Sequence, residues 1–284
     1  MIPSSFEYVK ATSVAEAVSA LAGSDDAKIL AGGQSFIPIL RLKLSSPELV
    51  VDLSKVDELR GITDAGDALV IGSMTTHADV LTSPLVLEHA PLLAQATATV
   101  ADPQVRHRGT FGGALAHADR ASDLPGVALV HGAEMTVVGP GGTRTIAAAD
   151  FFLDYLTTAL EEDEIVTSIR VPKLAGWGVH YEKFNRTAQA WAIVGVATAV
   201  KRSNGSIAEA RIALTNMGST HLRAAATEAA LAGAEATSAA VHAAAQLAAD
   251  GTNPPSDQNG QADYRSSLAR VLTHRAVCRA AGLS

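Results

Sequence analysis

The sequence predicts an α+β protein made of three consecutive parts, residues 1–55, 56–175 and 176–284. Short runs rich in β-branched residues alternate with short helical runs as far as Pro172. The stretch Lys173–Gly178 has the composition of a linker. Beyond it, two strand-like runs joined through Asn204–Gly205 are followed only by helical segments, which indicates a separate C-terminal α/β domain.

The composition is typical of a globular protein that works inside the cell. Hydrophobic residues make up 48% and charged residues 18% of the chain. No apolar run approaches the roughly 20 residues that a membrane-spanning helix needs, and the first residues lack the basic and apolar regions of a secretion signal. We therefore expect a cytoplasmic protein.

Charge and cysteine content exclude several classes of function. A net charge of −7 argues against a broad nucleic-acid surface, because such surfaces neutralise phosphates with basic side chains. The single cysteine, Cys278, leaves no internal disulfide and no four-cysteine iron–sulfur or zinc site in this chain. The nine histidines show no metal-ligand spacing, and no Gly-x-Ser-x-Gly elbow is present, so we expect neither a metal site nor a nucleophile.

In the first part, Ser13–Glu16 reads as a capping box that opens a short helix. A brief strand over 28–31 leads into the glycine turn Ala31–Ser35, and Ser35 is placed to cap a second helix. Leu49–Leu53 is a strand by its β-branched content. The turn carries no Gly-x-Gly-x-x-Gly pattern, so the sequence does not support a Rossmann fold.

The rest of the chain follows the same local rules. In the second part we expect helices and strands bounded by glycine and proline, with an irregular loop over 101–109. The predicted helices there are 76–81, 85–100 and 122–131, and the strands are 68–72, 135–138, 143–146 and 164–171. In the third part the predicted strands are 191–201 and 207–214, and the helices are 221–231, 237–250 and 264–281.

Two glycine pairs are the first candidates for a binding site, Gly32–Gly33 and Gly112–Gly113. Glycine allows a positive φ and close approach of a ligand, and successive N–H groups in such a turn can hold an anion. Two such nests fit a ligand with two phosphates, that is, a dinucleotide. The alternative is that both pairs are ordinary tight turns, and the glycines alone do not decide.

The charged and aromatic candidates each have two interpretations. Asp123, at a predicted helix start, could contact a ligand or simply cap the helix. The cluster Arg106–Arg108 could face phosphate or be a solvated loop. Lys183 alternates with apolar residues on a predicted strand, which usually means a solvent face, and Trp191 could be a core residue or a ring stacked on a cofactor.

The order of these motifs resembles a known family. Ala31–Ser35, then Ala101–Gly113 (Ala-Asp-Pro-Gln-Val-Arg-His-Arg-Gly-Thr-Phe-Gly-Gly), then Ser122–Pro125, is similar to the FAD-binding subunits of molybdenum hydroxylases. Within that family the pattern is most similar to the medium subunits of aerobic, molybdenum-type carbon monoxide dehydrogenases. Ile71–Thr76 and Tyr181–Phe184 extend the match, as does Leu214–Met217, and it covers nearly the whole chain.

The resemblance implies a fold and a set of cofactor contacts. The fold would be the two-subdomain FAD-binding fold of the vanillyl-alcohol-oxidase (PCMH) type, followed by a C-terminal α/β domain. Two segments would wrap the diphosphate, and single residues would border the flavin or bind polar parts of the cofactor. The implied FAD contacts are Leu30, Ala31, Gly32, Gly33, Gln34, Ser35, Phe36, Ala101, Asp102, Thr110, Phe111, Gly112, Gly113, Ala114, Asp123, Val166, Lys183 and Trp191.

The sequence departs from the family pattern at three places. Gln34 stands where relatives often have histidine or threonine, and Phe111 replaces a usual isoleucine or valine. Ala114 replaces asparagine or serine, which removes one polar side chain near the cofactor. None of these changes removes a glycine. Because Gln34 cannot form the histidyl–flavin link of some relatives of this fold, we expect noncovalent FAD.

The resemblance also implies a function in electron transfer. A small partner subunit would carry two [2Fe–2S] clusters, and a large partner subunit would carry the molybdenum cofactor. The complex would be a dimer of heterotrimers and would bind no nucleic acid. FAD here would collect two electrons and pass them to an external acceptor, in the cytoplasm or at the inner face of the membrane. The chemistry would belong to the cofactors, with no catalytic residue in this chain. The substrate and the acceptor stay open, as does the behaviour of the isolated chain.

Two other interpretations remain at this point. One is a self-sufficient flavoprotein oxidase or reductase of the same fold, which would need its own acid or base beside the flavin. The other is a scaffold that has lost its cofactor.

Overall fold

A computed structural model describes residues 2–283, so the outermost residue of the first and of the third predicted part lies outside the described residues. Three sheets of three or more strands follow one another along the chain, and a fourth sheet has only two short strands. The first lies between residues 7 and 52, the second between 62 and 172, and the third between 178 and 223. Among the described residues, no helix is long and apolar enough to span a membrane.

The first sheet is parallel, with strand order β1-β3-β2. Its elements are β1 Glu7–Lys10, α1 Val14–Ala22, β2 Ala27–Leu30, α2 Phe36–Arg41 and β3 Leu49–Asp52. The predicted cap of α1 is confirmed, since the Ser13 side chain accepts a hydrogen bond from the backbone N–H of Glu16. The predicted cap of α2 is wrong. Ser35 precedes that helix with αR backbone angles and makes no side-chain cap.

The second sheet is antiparallel, with order β4-β5-β10-β6-β7. Six helices lie in the chain between its second and third strands in sequence order. Its elements are β4 Ile62–Asp64, β5 Ala68–Gly72, α3 His77–Thr82, α4 Pro84–His89, α5 Pro91–Ala98, α6 Pro103–Arg106, α7 Phe111–His117, α8 Leu124–His131, β6 Glu134–Gly139, β7 Gly142–Ala147, α9 Ala148–Phe151, β8 Phe152–Asp154, β9 Thr157–Thr158 and β10 Ile165–Pro172.

Two predictions in this part are wrong. The expected helix 85–100 is two helices, α4 and α5, because Pro91 lacks the N–H that would continue the first and takes the first position of the second. The expected loop 101–109 contains α6, and the expected glycine turn at Thr110–Gly113 is the beginning of α7, capped by the Thr110 hydroxyl.

The third sheet is antiparallel, with order β11-β12-β13-β14, and three helices follow it. Its elements are β11 Gly178–Phe184, β12 Val194–Ser203, β13 Ser206–Thr215, β14 Leu222–Arg223, α10 Ala225–Leu231, α11 Ser238–Ala245 and α12 Ala262–Ala280. Asn204 and Gly205 both take a positive φ in the turn between β12 and β13, which confirms the predicted hairpin. β12 begins at Val194, so the expectation that Trp191 starts this strand is wrong.

The hydrophobic core crosses the predicted boundary at residue 175. The largest cluster of buried side chains combines the second sheet and its helices with Tyr181, Ala197, Ala199 and Ala213 of the third sheet. Polar contacts reinforce the same junction, because His221 Nε2 lies 2.7 Å from the Ser122 carbonyl oxygen and Asn216 N–H donates to the Arg120 carbonyl at 2.8 Å. The second and third parts are therefore packed as one body.

Candidate functional site

A cavity of about 530 Å³ lies where the three parts of the chain meet. Its wall combines the turn before α2, the segment from α6 to α8 and residues near the end of β11. The predicted contact residues that line it are Ala31, Gly32, Gly33, Gln34, Ser35, Phe36, Ala101, Thr110, Gly113, Ala114, Asp123, Lys183 and Trp191. Residues separated by up to 160 positions in the sequence are thus brought to one surface.

Five predicted contacts do not line this cavity. Leu30 ends β2, and the Asp102 carboxylate caps α6 by accepting from Val105 N–H at 2.8 Å. Phe111 and Val166 are core side chains, 1% and 5% exposed. Gly112 is packed so tightly that a Cβ there would lie 2.4 Å from the Ser73 Cβ.

The first glycine turn offers unused backbone donors. Gly33 has a φ of +74°, a conformation that side-chain-bearing residues rarely adopt. A Cβ on Gly32 would lie 2.2 Å from the Arg108 carbonyl oxygen, so this glycine is needed for close contact with the segment before α7. Among the described residues, none accepts a hydrogen bond from the backbone N–H groups of residues 31–36. Except for exposed Gln34, these residues are buried or half-buried. Donors of this kind without a partner need an acceptor, and a phosphate supplies several.

The second glycine pair has no such unused donors. The N–H groups of Phe111, Gly112 and Gly113 donate to the Thr75 carbonyl, the Ser73 carbonyl and the Thr110 hydroxyl. For Gly112–Gly113, the used donors favour a packing role over the anion nest considered above. The pair lets α7 pack against the chain that follows β5, and Gly113 lets it approach Ala31, whose Cβ would lie 3.3 Å from an added Cβ.

A buried ion pair, far from the glycine turn in the sequence, forms another part of the cavity wall. Lys183 Nζ donates to Asp123 Oδ2 at 2.8 Å and to the Thr99 carbonyl at 3.0 Å. The Tyr181 hydroxyl donates to Asp123 Oδ1 at 2.6 Å. Only 5% of the Lys183 side chain and 4% of the Asp123 side chain are exposed. The expectation of a solvent-facing Lys183 is wrong, and Asp123 makes no side-chain cap of α8.

Burial controls the electrostatics of this trio. It raises the pKa of the Asp123 carboxyl, and the Lys183 ammonium and the hydrogen bonds from Lys183 and Tyr181 work against that rise. Burial and the neighbouring Asp123 also raise the pKa of Tyr181 well above its usual value, so the hydroxyl stays a donor. The arrangement fixes the Lys183 and Asp123 side chains as an ion pair at the cavity wall.

Trp191 and Arg106 position other parts of the wall. Trp191 is 53% exposed and lines the cavity, so the core interpretation of this ring is wrong. The residue after it is anchored, since Asn216 Nδ2 donates to the Ala192 carbonyl at 2.8 Å. Arg106 Nη1 donates to the Val100 carbonyl at 2.8 Å, beside Ala101 with its φ of +40°. The Arg106 side chain thus braces the loop that carries Ala101, in place of the solvated role considered above.

His77 is a cavity residue that the sequence pattern did not reveal. It is 4% exposed, its Nδ1 has no partner among the described residues, and burial lowers its pKa to about 4. A Cβ on Gly109 would lie 3.0 Å from its Nε2. A lone histidine at a helix start carries no pattern that marks it. The other lining residues missed by the sequence are Lys28, Ile29, Val100, Val105, Gly109, Ala116, His117, Ser122, Leu124, Gln189 and Ala190.

These residues fit a dinucleotide better than a metal ion. The free N–H groups suit phosphate, and the remaining wall mixes apolar side chains with a few fixed polar groups, as small-molecule sites do. No group of three or more His, Cys, Asp or Glu residues able to hold a metal occurs within residues 2–283. The fit rests on this chain's own unpaired donors and on its cavity.

Comparison with known proteins gives the same ligand class. The family model for the FAD-binding domain of molybdopterin dehydrogenases matches residues 4–174, and that for the C-terminal domain of CO dehydrogenase flavoproteins matches residues 179–280. The medium chain of carbon monoxide dehydrogenase from Hydrogenophaga pseudoflava is 42% identical over 98% of this chain and 97% of its own length. The medium chain of glyceraldehyde dehydrogenase from Sulfolobus acidocaldarius is 36% identical over 97% and 98%.

A solved structure extends the similarity to three dimensions. Carbon monoxide dehydrogenase from Hydrogenophaga pseudoflava, in a form that lacks the Mo-pyranopterin moiety of its cofactor, contains a chain that superposes with a TM-score of 0.96. That chain is 45% identical, and the match covers 99% of this chain and 98% of that one.

Proposed function

This chain belongs to the FAD-binding medium subunits of molybdenum hydroxylases, and we propose that it relays electrons from iron–sulfur clusters of a partner subunit to an external acceptor. It is an oxidoreductase subunit similar to those of carbon monoxide dehydrogenases. Molybdenum and iron–sulfur cofactors are carried by other subunits of such complexes, which agrees with a single cysteine in this chain.

The observation that carries the proposal is the cavity wall itself. The unpaired N–H groups of residues 31–36 support a role in holding the diphosphate, and the Lys183–Asp123 pair lines the same cavity. FAD, when bound, supplies two-electron redox chemistry. The chain's residues would orient it: the glycine turn would bind the diphosphate, Trp191 would contact the cofactor, and the Lys183–Asp123 pair would supply fixed polar groups. We extend the proposal to all thirteen predicted contacts that line the cavity.

We further propose that the complex is a dimer of heterotrimers with a small iron–sulfur subunit and a large molybdenum subunit. The multi-subunit character of the relatives supports this, since they are medium chains and subunits of larger dehydrogenases. The substrate would be selected in the large subunit. The runner-up, a self-sufficient oxidase, is less well supported, because the one buried carboxylate of the cavity is already paired with Lys183.

The test compares the lone chain with the complex. Both are loaded with FAD, and reduction of the flavin is followed by its absorbance while candidate substrates are added without oxygen. We expect reduction only in the complex. Equal rates of reduction in the lone chain and in the complex would reject the relay and favour the oxidase.

A further inference from the structure

We propose that an exposed patch on and after α2 is the docking surface for the iron–sulfur partner subunit. The α2 patch consists of Ile37, Arg41, Leu42, Lys43 and Leu44. This inference rests on the proposed electron relay and adds where the donor binds.

The patch exposes large apolar side chains that folding leaves uncovered. Ile37, Leu42 and Leu44 are 43%, 57% and 74% exposed. The chain turns back after α2, where Leu44 N–H donates to the Ile39 carbonyl, so these residues stay together. Ser46, just after the patch, donates a hydrogen bond to Ser4 at 3.2 Å, which ties this part of the chain to the N-terminal segment. A cluster of exposed apolar side chains of this kind marks an interaction surface.

The patch is continuous with the cavity. Ser35 and Phe36 line the cavity, and the next residue, Ile37, belongs to the patch. Ile37 also packs on the glycine turn, because a Cβ on Gly33 would lie 2.7 Å from its Cδ1. Electron transfer rates fall steeply with distance, so a donor must dock beside the cofactor. A subunit seated on α2 would be separated from the cavity by one turn of chain.

The charge of the patch selects the occupant. Residues 36–46 contain Arg41 and Lys43 and no acidic residue, although the chain as a whole has a net charge of −7. A [2Fe–2S] cluster held by four thiolates is net negative, because thiolates and sulfides outweigh the two irons. A basic rim around apolar contacts is therefore complementary to the surface near such a cluster.

A second cluster of exposed apolar side chains is the alternative docking surface. Leu153, Tyr155 and Leu156, at the β8–β9 hairpin, are 60%, 45% and 45% exposed. Its neighbours in the chain are Asp150 and Asp154, and its one basic neighbour, Arg120, is stacked on the Tyr155 ring at 4.8 Å. The hairpin is acidic where the α2 patch is basic, so it does not suit a net-negative cluster. It supplies a matched control.

The experiment measures binding of the small subunit to the FAD-loaded medium chain, with and without the large subunit. Leu42→Ser/Leu44→Ser should raise the Kd for the small subunit about tenfold or more. Arg41→Glu should also weaken binding, more at low salt than at high salt. Leu153→Ser should leave the Kd unchanged. Ile37 is kept in all variants because it packs on Gly33.

FAD content and melting temperature show whether each variant is folded, and Arg41→Glu, on an exposed side chain, tests the surface without touching the core. Unchanged binding in both α2-patch variants would overturn the proposal. Loss of the large subunit alone, or conversion of a medium-chain dimer to monomers with the complex intact, would assign the patch to another occupant and overturn it too. Binding is scored without substrate, so it does not depend on electron transfer. A flavin that stays unreduced in the wild-type complex after substrate is added would reject the relay separately.

Discussion

Three buried histidines, His77, His131 and His221, are held neutral in the folded protein. Burial lowers the pKa of each from 6.5 to about 4. His131 Nδ1 lies 2.8 Å from the Pro172 carbonyl and His221 Nε2 lies 2.7 Å from the Ser122 carbonyl, so each neutral ring donates one N–H. The unfolded chain takes up these three protons near pH 6.5, and the folded chain does so only near pH 4.

We therefore expect the free energy of unfolding to fall as the pH drops from about 6.5 toward 4. The slope should be on the order of 1 kcal/mol per pH unit for each histidine. Asp123 opposes this trend with one carboxyl, since burial raises its pKa. Urea unfolding at several pH values measures the slope. His131→Gln should make it shallower, and a slope of zero over this range would contradict the assignment.

Gly33 and Gly113 test whether the cavity needs bare backbone. Gly33→Val introduces a β-branched residue at a φ of +74°, and its Cβ would lie 2.7 Å from Ile37. Gly113→Val would place a Cβ 2.6 Å from the Thr110 hydroxyl, at the cavity wall. Both variants should fold and lose FAD, as measured by the flavin content of the purified protein.

The matched control is Gly66→Val. Gly66 has a φ of +84° with nothing within 4 Å of an added Cβ, so it carries the same backbone strain away from the cavity. It should keep its FAD. Arg106→Ala should also cost less FAD than the glycine variants, because it loosens the Val100–Ala101 loop without filling the cavity. Full flavin occupancy in Gly33→Val would show that phosphate does not approach the first glycine turn, and full occupancy in Gly113→Val would show that FAD does not reach this part of the cavity wall.

FAD should be held without a covalent bond. Gln34, the side chain that lines the cavity in the first glycine turn, cannot form a histidyl–flavin link, and Cys278 is in α12, against Ser238 and His274. Acid precipitation should leave all of the yellow colour in the supernatant. Flavin that stays on the precipitated chain would contradict this.

At the level of single residues, the sequence predicted identities better than roles. The order of motifs predicted thirteen of the residues that line the cavity, because each short motif can be recognised from neighbouring residues in the sequence. It did not reveal that Asp123 and Lys183 pair, since the two are 60 positions apart. It also could not separate a glycine pair with free donors from one whose donors are used, because that depends on Ser73 and Thr75.

At the level of elements, the two glycine segments should respond differently to FAD. The backbone N–H groups of residues 32–35 have no partner among the described residues, whereas those of residues 111–113 are already hydrogen-bonded. Hydrogen exchange at 32–35 should slow strongly when FAD binds, and exchange at 111–113 should change much less. Equal protection of both segments would restore the prediction of two nests.

The elements themselves were predictable where local chemistry decides them. Ser13 caps α1, and Asn204–Gly205 forms the hairpin as expected, because caps and tight turns are fixed by neighbouring residues. The prediction of a single helix over 85–100 was wrong at Pro91. The apolar pattern on both sides of this residue suggests one helix, but a new helix begins at the proline. α6 was missed because four residues are too few for a periodic pattern to appear.

At the level of the whole molecule, the predicted boundary at residue 175 separates two sheets along the chain but does not separate two independent hydrophobic cores. The linker separates two sheets, yet one core cluster includes buried side chains of both. Sequence patterns place elements in order and do not show which faces share a core. The boundaries at residues 55 and 175 therefore remain predictions. We expect the second and third parts to unfold together, because they share a core.

The buried Lys183–Asp123 pair should control that cooperativity. It links β11 to the start of α8, and Lys183 also reaches the Thr99 carbonyl after α5. Removing one partner leaves the other charge buried without compensation, so Lys183→Met should cost about 3–5 kcal/mol of unfolding free energy. Asp123→Asn/Lys183→Met should recover part of this loss, because no uncompensated charge remains.

Arg223→Met is the matched control, since it breaks a more exposed ion pair with Glu228 inside the third part alone. It should lower stability far less. Unfolding followed by tryptophan fluorescence and by circular dichroism should coincide in the wild-type protein, because Trp177 packs against the shared core and the helices belong to the same unit. In Lys183→Met the two transitions should move to lower denaturant or separate. If Lys183→Met unfolds at the wild-type midpoint, the pair does not hold the parts together, and the shared apolar core alone must do so.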